Sequence, residues 1–281
     1  MWAGNAIVGR MLADHVPPMT LNFVRWALAS LVLLPLAPWL LRRGSGFAGH
    51  WKRFMLLGLV GVGLYNSLQY LALKTSSPLN VTLVAASSPL FMMLVGALFF
   101  QAHVRRMQVI GALLSLAGVA LVLSRGHWAQ LRALQLVPGD VFMLLAALSW
   151  AFYSWMLTQR REPEAIRQDW AAMLLAQTLT GSIWAGLFTV AEWGFFNPTL
   201  HMTWGVALGV LFIVLGPAVL AYRAWGLGVQ QAGPTLAAFF TNLTPLFTAL
   251  LSTLILREWP QWYHVLAFVL IVGGIWFSAK R

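Results

Sequence analysis

Arg223 lies well inside a long apolar stretch, in the run Tyr222-Arg223-Ala224-Trp225. An arginine in a membrane-length apolar segment is costly to keep and marks a site by default. Its planar guanidinium would hold a substrate carboxylate through two parallel hydrogen bonds, or act as a gate. The competing reading is a side chain that snorkels to the headgroups, as expected for Arg10 and Arg25 near the outer interface. Polar groups recur in the other apolar stretches: Asn5, then Tyr65, Asn66 and Gln69, then Ser87 and Ser88, then Thr241, Asn242 and Thr244. Tyr65 and Gln69 share one helical face at i, i+4. A mid-membrane amide without a partner is expensive, so these groups face one another or a wet cavity. Helix-to-helix hydrogen bonds are the plainer alternative, and the Ser and Thr hydroxyls can bond their own backbone. The rings of Tyr65, Trp150, Tyr153, Tyr222 and Trp225 would suit an apolar or aromatic solute, although each alone also reads as core.

Other chemistries lack their residues. The seven acids, Asp14, Asp140, Glu162, Glu164, Asp169, Glu192 and Glu258, all fall in loops or at helix ends. A proton relay through a buried carboxylate is therefore not supported, and uncoupled, facilitated movement of a solute is favoured over a proton-coupled drug or metabolite efflux carrier. The six histidines are scattered and no H-E-x-x-H occurs, so an intramembrane enzyme, a metal site and a cofactor are not expected. There is no cysteine and hence no disulfide framework.

These residues need a membrane scaffold to position them. The 281-residue chain is 60% hydrophobic and 9% charged, against about a quarter charged in soluble domains. Such a chain is an integral membrane protein. Its net charge of +11 sits in short loops, which fits topology and anionic lipid rather than nucleic acid. Apolar runs predict ten helices, at roughly 1–13, 20–41, 52–74, 78–100, 104–124, 139–160, 167–191, 203–229, 234–256 and 261–279. Pro78 and Pro89 recur as Pro234 and Pro245, each shifted by 156 residues, and Ser88-Pro89-Leu90-Phe91 matches Thr244-Pro245-Leu246-Phe247. Trp2-Ala3 matches Trp150-Ala151, so the first helix reads as incomplete at its N-terminus. Five helices per copy make the second copy enter from the opposite side, so the repeats, 1–125 and 139–281, are inverted around a central cavity. Proline in mid-helix leaves the carbonyl four residues back without its donor. Pro89 and Pro245 are thus expected as hinges, with Ala85 and Thr241 carrying the freed carbonyls. Lys and Arg favour the N-terminal side of the membrane and place both termini in the cytoplasm.

Trp2-Ala3-Gly4-Asn5, Val16-Pro17-Pro18 with Phe23-Val24-Arg25-Trp26, Ala72-Leu73-Lys74-Thr75, Ser88-Pro89-Leu90 and the Gly111 to Gly118-Val119 helix resemble the EamA-type drug/metabolite transporters. Thr244-Pro245-Leu246, Arg257-Glu258 and Gly273-Gly274 continue the pattern in the second copy. The resemblance covers essentially the whole chain. It implies ten helices around a central cavity, alternating access, and usually export of amino acids or related metabolites, with aromatic amino acid exporters among the similar proteins. A bacterial inner membrane and a monomer or weak dimer are expected. The family's Gly-Glu-Arg-like turn is matched by Glu258 but stands at Ala102 in the first copy, which makes the copies inequivalent there.

Overall fold

The computed structural model describes all residues except 77–80, 82–83, 128, 130–131, 133–136, 245, 248–260 and 280–281. Among the described residues the chain is helical throughout, without a strand. The helices used below are α1 (Trp2–Leu12), α2 (Pro18–Leu33), α3 (Ala48–Thr75), α4 (Ser88–Phe99), α5 (Arg106–Leu123), α6 (Pro138–Leu157), α7 (Trp170–Phe196), α8 (Trp204–Ala232), α9 (Pro234–Thr241) and α10 (Trp262–Ala279). Six of them, α3, α5, α6, α7, α8 and α10, are long and apolar enough to cross a membrane. Large apolar side chains on their outer faces are exposed, including Leu113, Ile183, Leu187, Leu208, Leu211, Phe268 and Trp276. A belt of this kind needs lipid to cover it, and the protein is a multi-pass membrane protein.

The helix ends follow local chemistry. Pro18 opens α2, and Glu192 from the far end of α7 accepts hydrogen bonds from the Met19 and Thr20 backbone N–H groups at 3.2 and 3.0 Å. A carboxylate there takes up orphan donors and complements the helix dipole. Asp169 caps α7 by accepting from the Ala171 and Ala172 N–H groups, and Thr203 caps α8 through the Val206 N–H. The predicted span 20–41 is shorter than expected, because α2 ends at Leu33, just ahead of Pro35 and Pro38. The predicted span 78–100 is interrupted at Ser87, and α4 restarts with Pro89 in its first turn. Its counterpart stops at Thr241, followed by a turn at Asn242 and Leu243. Pro245 lies outside the described residues, as do Pro78 and Glu258.

Two helices carry a feature not expected from the sequence. In α3 the segment Leu59–Leu64 is wound as π-helix, and in α8 so is Val214–Leu220. A π-turn widens the helix by one residue and is found mostly at functional sites.

The main core joins α2, α3, α6, α7 and α8 around Trp26, Phe54, Trp150, Tyr153 and Ile213. α5 and α10 form a separate pair to one side. Gly111 and Gly274 let them touch: a Cβ on Gly111 would lie 2.5 Å from the Gly274 carbonyl oxygen, and one on Gly118 3.0 Å from the Ala267 carbonyl oxygen. Ser115 donates to the Ile271 carbonyl at 3.5 Å in the same seam.

Candidate functional site

Where α1, α2, α3, α6 and α8 approach one another, aromatic rings stack into one cluster. Trp150 is its hub, with ring centroids 5.7 Å from Trp2, 4.6 Å from Tyr65, 5.0 Å from Tyr153, 5.3 Å from Tyr222 and 5.0 Å from Trp225. A chain of hydrogen bonds runs past it. Arg25 Nη1 donates to Asn66 Oδ1 at 2.8 Å and to the Tyr70 hydroxyl at 3.2 Å. Asn66 Nδ2 donates to the Tyr222 hydroxyl at 3.0 Å, and that hydroxyl donates to the Gly61 carbonyl at 2.6 Å. Gly61 lies in the π-wound segment of α3, where carbonyls leave the regular i→i−4 ladder. The register change thus presents an acceptor to α8. It also depends on glycine: a Cβ on Gly61 would come within 2.6 Å of the Tyr153 ring.

A cavity of about 120 Å³ opens against this network, several times what one water needs. Its wall includes Trp2 and Asn5 of α1, Arg25 of α2, Tyr65, Asn66 and Gln69 of α3, Ser88 of α4, Trp150 of α6, Tyr222 of α8, and Thr241, Asn242 and Thr244 at the end of α9. Among the described residues, Asn5 Oδ1 and both amide atoms of Asn242 are buried with no hydrogen-bond partner, and so is Arg25 Nε. Unmet buried polar atoms are rare in folded proteins, and here three residues bearing them line one cavity. A larger apolar recess, about 590 Å³, adjoins it and shares Trp2, Thr241 and Thr244.

The structure brings together Asn5, Tyr65, Gln69, Ser88, Trp150, Tyr222, Thr241 and Asn242, all expected from the sequence, at this cavity. Gln69 Nε2 reaches the Tyr65 hydroxyl at 3.5 Å, as their shared face predicted. The hydroxyls of Ser87, Ser88 and Thr241 bond the backbone carbonyls of Val84, Ala85 and Ala238. The Ala85 carbonyl freed by Pro89 is therefore satisfied by the Ser88 hydroxyl. Ser87 lies at the helix break and is not part of the cavity wall. Tyr153 is buried in the core behind Trp150, and Trp225 faces the apolar recess with its Nε1 on the Ser154 hydroxyl at 3.1 Å.

Two arginines are placed differently from the sequence reading. Arg223 is exposed, and its guanidinium lies 4.2 Å from the Trp170 ring centroid, away from the cavity wall. Its position one residue beyond Tyr222 turns it out of the buried Tyr222-Trp225-Val229 stripe. Arg25 does not snorkel: it is 1% exposed and lies against the Trp26 ring at 4.7 Å. The signal was present, since Asn22, Arg25, Trp26, Ala29 and Leu33 form one helical stripe and all are buried. Val81 and Ala86 also line the cavity with no signal in the sequence, as do Trp2, known from the repeat, and Ala85, expected only as a freed carbonyl.

The buried carboxylates stand elsewhere. Glu162 pairs with Arg53 at 2.7 Å, Glu192 caps α2, and Asp140 bonds the Ser76 hydroxyl and the Val137 N–H. Among the described residues no cluster of His, Cys, Asp or Glu could hold a metal ion.

The chain matches the EamA-like transporter family over residues 1–124 and 137–279. It is 27% identical to an uncharacterized transporter of Archaeoglobus fulgidus, over 100% of this chain and 94% of that one. It is 28% identical to the aromatic amino acid exporter YddG of Ancylobacter novellus, over 77% and 72% of the two chains. A probable amino-acid metabolite efflux pump of Salmonella typhimurium is 23% identical over 99% and 91%. A solved crystal structure superposes with a TM-score of 0.71 at 22% identity, covering 98% of this chain and 93% of that chain, which shows a common fold.

Proposed function

Because the chain belongs to the EamA-like transporter family, we propose that it exports amino acids or related small metabolites across a bacterial inner membrane, by alternating access through the central cavity. The observation that carries this reading is the cavity itself: unmet amide and guanidinium groups beside a wall of aromatic rings, next to an apolar recess. That combination suits a zwitterion with an apolar or aromatic side chain. Two of the named relatives are an aromatic amino acid exporter and a probable amino-acid metabolite efflux pump, which points the same way.

In this reading the molecule is ten helices in two inverted repeats, 1–125 and 139–281, with both termini cytoplasmic and a monomer or weak dimer as the working unit. Contacts between equivalent residues support the inversion. Asn66 meets Tyr222 and Ser115 meets Ile271, each pair 156 residues apart. Ser30 meets Thr178 at a separation of 148 residues, the offset that also relates Trp2 to Trp150. The Gly111–Gly274 and Gly118–Ala267 approaches are reciprocal at the 156-residue offset. A two-fold relation produces such self-complementary contacts. The π-wound segments of α3 and α8 also fall at equivalent positions.

With the buried carboxylates committed away from the cavity, the reading is facilitated, uncoupled movement. The test is counterflow of radiolabelled amino acids in proteoliposomes. Accumulation of label from an aromatic or large apolar amino acid is expected, and no movement of any amino acid would overturn the reading. An imposed pH gradient should leave the final distribution unchanged, whereas gradient-driven accumulation would replace facilitated with proton-coupled transport.

A further inference from the structure

We propose that Arg25 is the receptor for a carboxylate on the transported solute, and that the cavity demands a cargo carrying one. This rests on the export reading above and specifies its chemistry. Arg25 is a cation enclosed by α2, α3 and the cavity. The ion pairs among the described residues are Arg53–Glu162 and Arg167–Glu164, and neither involves it. The groups that contact its charge are an amide oxygen, a phenol and an indole ring, all neutral. They orient the guanidinium without cancelling its charge. A buried charge is retained at such cost only when it is paired or used.

The hydrogen bonds of the guanidinium say which edge is uncommitted, although Nε itself is buried. Among the described residues both hydrogen bonds leave from Nη1, and Nε has none. The Nε–Nη2 edge is the side on which guanidinium takes a carboxylate through two parallel N–H···O bonds. Asn66 and Tyr70, both on α3, hold the opposite side, so the fork is fixed before any ligand arrives. The cavity that Arg25 lines also carries the unmet amides. Among the described residues Asn242 has neither amide atom partnered, so it offers an acceptor whichever way the amide is turned. An acceptor near a carboxylate-binding arginine is the complement of an α-amino acid's two charged groups. The aromatic wall remains for the side chain.

Three ligands that share a phenyl group separate the charges: L-phenylalanine, 3-phenylpropionate, which has no ammonium, and phenethylamine, which has no carboxylate. Each is added to the purified, detergent-solubilised protein, and protection against thermal unfolding gives its affinity. Phenylalanine and phenylpropionate should protect the wild type about tenfold or more tightly than phenethylamine, the usual margin for a charge-assisted bidentate contact. Arg25→Gln should abolish that margin, and Arg25→Lys should restore it in part. Equal protection by phenethylamine overturns the proposal, as does an unchanged margin in Arg25→Gln, as does protection by none of the three. The wild-type comparison needs no variant to fold. Protection by phenylpropionate with no amino acid moved in proteoliposomes would leave Arg25 as the carboxylate receptor and remove amino acids as the cargo.

Discussion

At the scale of single residues, position around a helix decided more than distance from its end. Arg25 and Arg223 are both arginines within apolar stretches. Depth along the chain favoured Arg223, but Arg25 shares a stripe with Asn22, Trp26 and Ala29, while Arg223 sits one residue off the buried stripe of α8. Amide and aromatic positions were legible because a polar group in an apolar helix has few places to go. Their partners were not, since Asn66 finds the Tyr222 hydroxyl 156 residues away. Tyr222→Phe removes both a donor to the Gly61 carbonyl and an acceptor for Asn66. It should destabilise the protein by about 1–3 kcal/mol, measured by thermal unfolding in detergent, the cost of leaving buried partners unmet. Arg223→Gln should lose only the stacking on Trp170, about 0.5–1 kcal/mol at an exposed site, and should leave transport affinity as in the wild type. A marked rise in KM for that variant would return Arg223 to the site.

At the scale of elements, proline placement was readable and winding was not. The first copy's proline falls beside a helix break: α4 restarts at Ser88 with Pro89 in its first turn. The freed carbonyl of Ala85 is taken by the Ser88 hydroxyl, so the break is chemically satisfied. Alanine at position 89 would supply the missing N–H and let the helix run through the break. Pro89→Ala should therefore reach the membrane in normal amount while its transport rate falls several-fold, as hinge changes do. Wild-type rates in proteoliposomes would make the break a packing feature. The π-turns in α3 and α8 had no sequence signal beyond glycines and Pro217, because one extra residue per turn is set by what the helix must touch. In α3 it must turn the Gly61 carbonyl toward Tyr222 while leaving space for the Tyr153 ring.

At the scale of the whole molecule, the bundle is tied together by a few polar bonds through a largely apolar core. Arg53 at the start of α3 reaches the Met156 carbonyl in the last turn of α6 and Gln159 and Glu162 just beyond it. It joins the 1–125 and 139–281 segments on the side of the loops richest in Lys and Arg. Glu162 is fully enclosed, so Arg53→Gln leaves a buried charge unpaired and should cost about 3–5 kcal/mol. Adding Glu162→Gln should recover most of that loss, a coupling that a double-mutant cycle measures directly. Independent, additive losses would show that the pair does not hold the two segments together. Duplication was legible in the sequence because offsets of this kind survive as repeated short motifs. Which residues would touch their own counterparts was not, since that depends on where the helices cross.

Those crossings have a consequence for ancestry. In a two-chain ancestor built from one gene, a residue at the centre of symmetry faces an identical copy of itself and cannot change alone. Once both copies share a chain, each partner is free to diverge. On the proposed inverted-repeat arrangement, Asn66 opposite Tyr222, Ser30 opposite Thr178 and Ser115 opposite Ile271 are pairs of this kind, and their residues differ. The same freedom reaches Arg25, whose counterpart at the 148-residue offset is Met173. Had both positions been arginine, a self-paired ancestor would have offered its cargo two equal cations. In the proposed site this chain offers one, Arg25, which would suit a solute with a head and a tail.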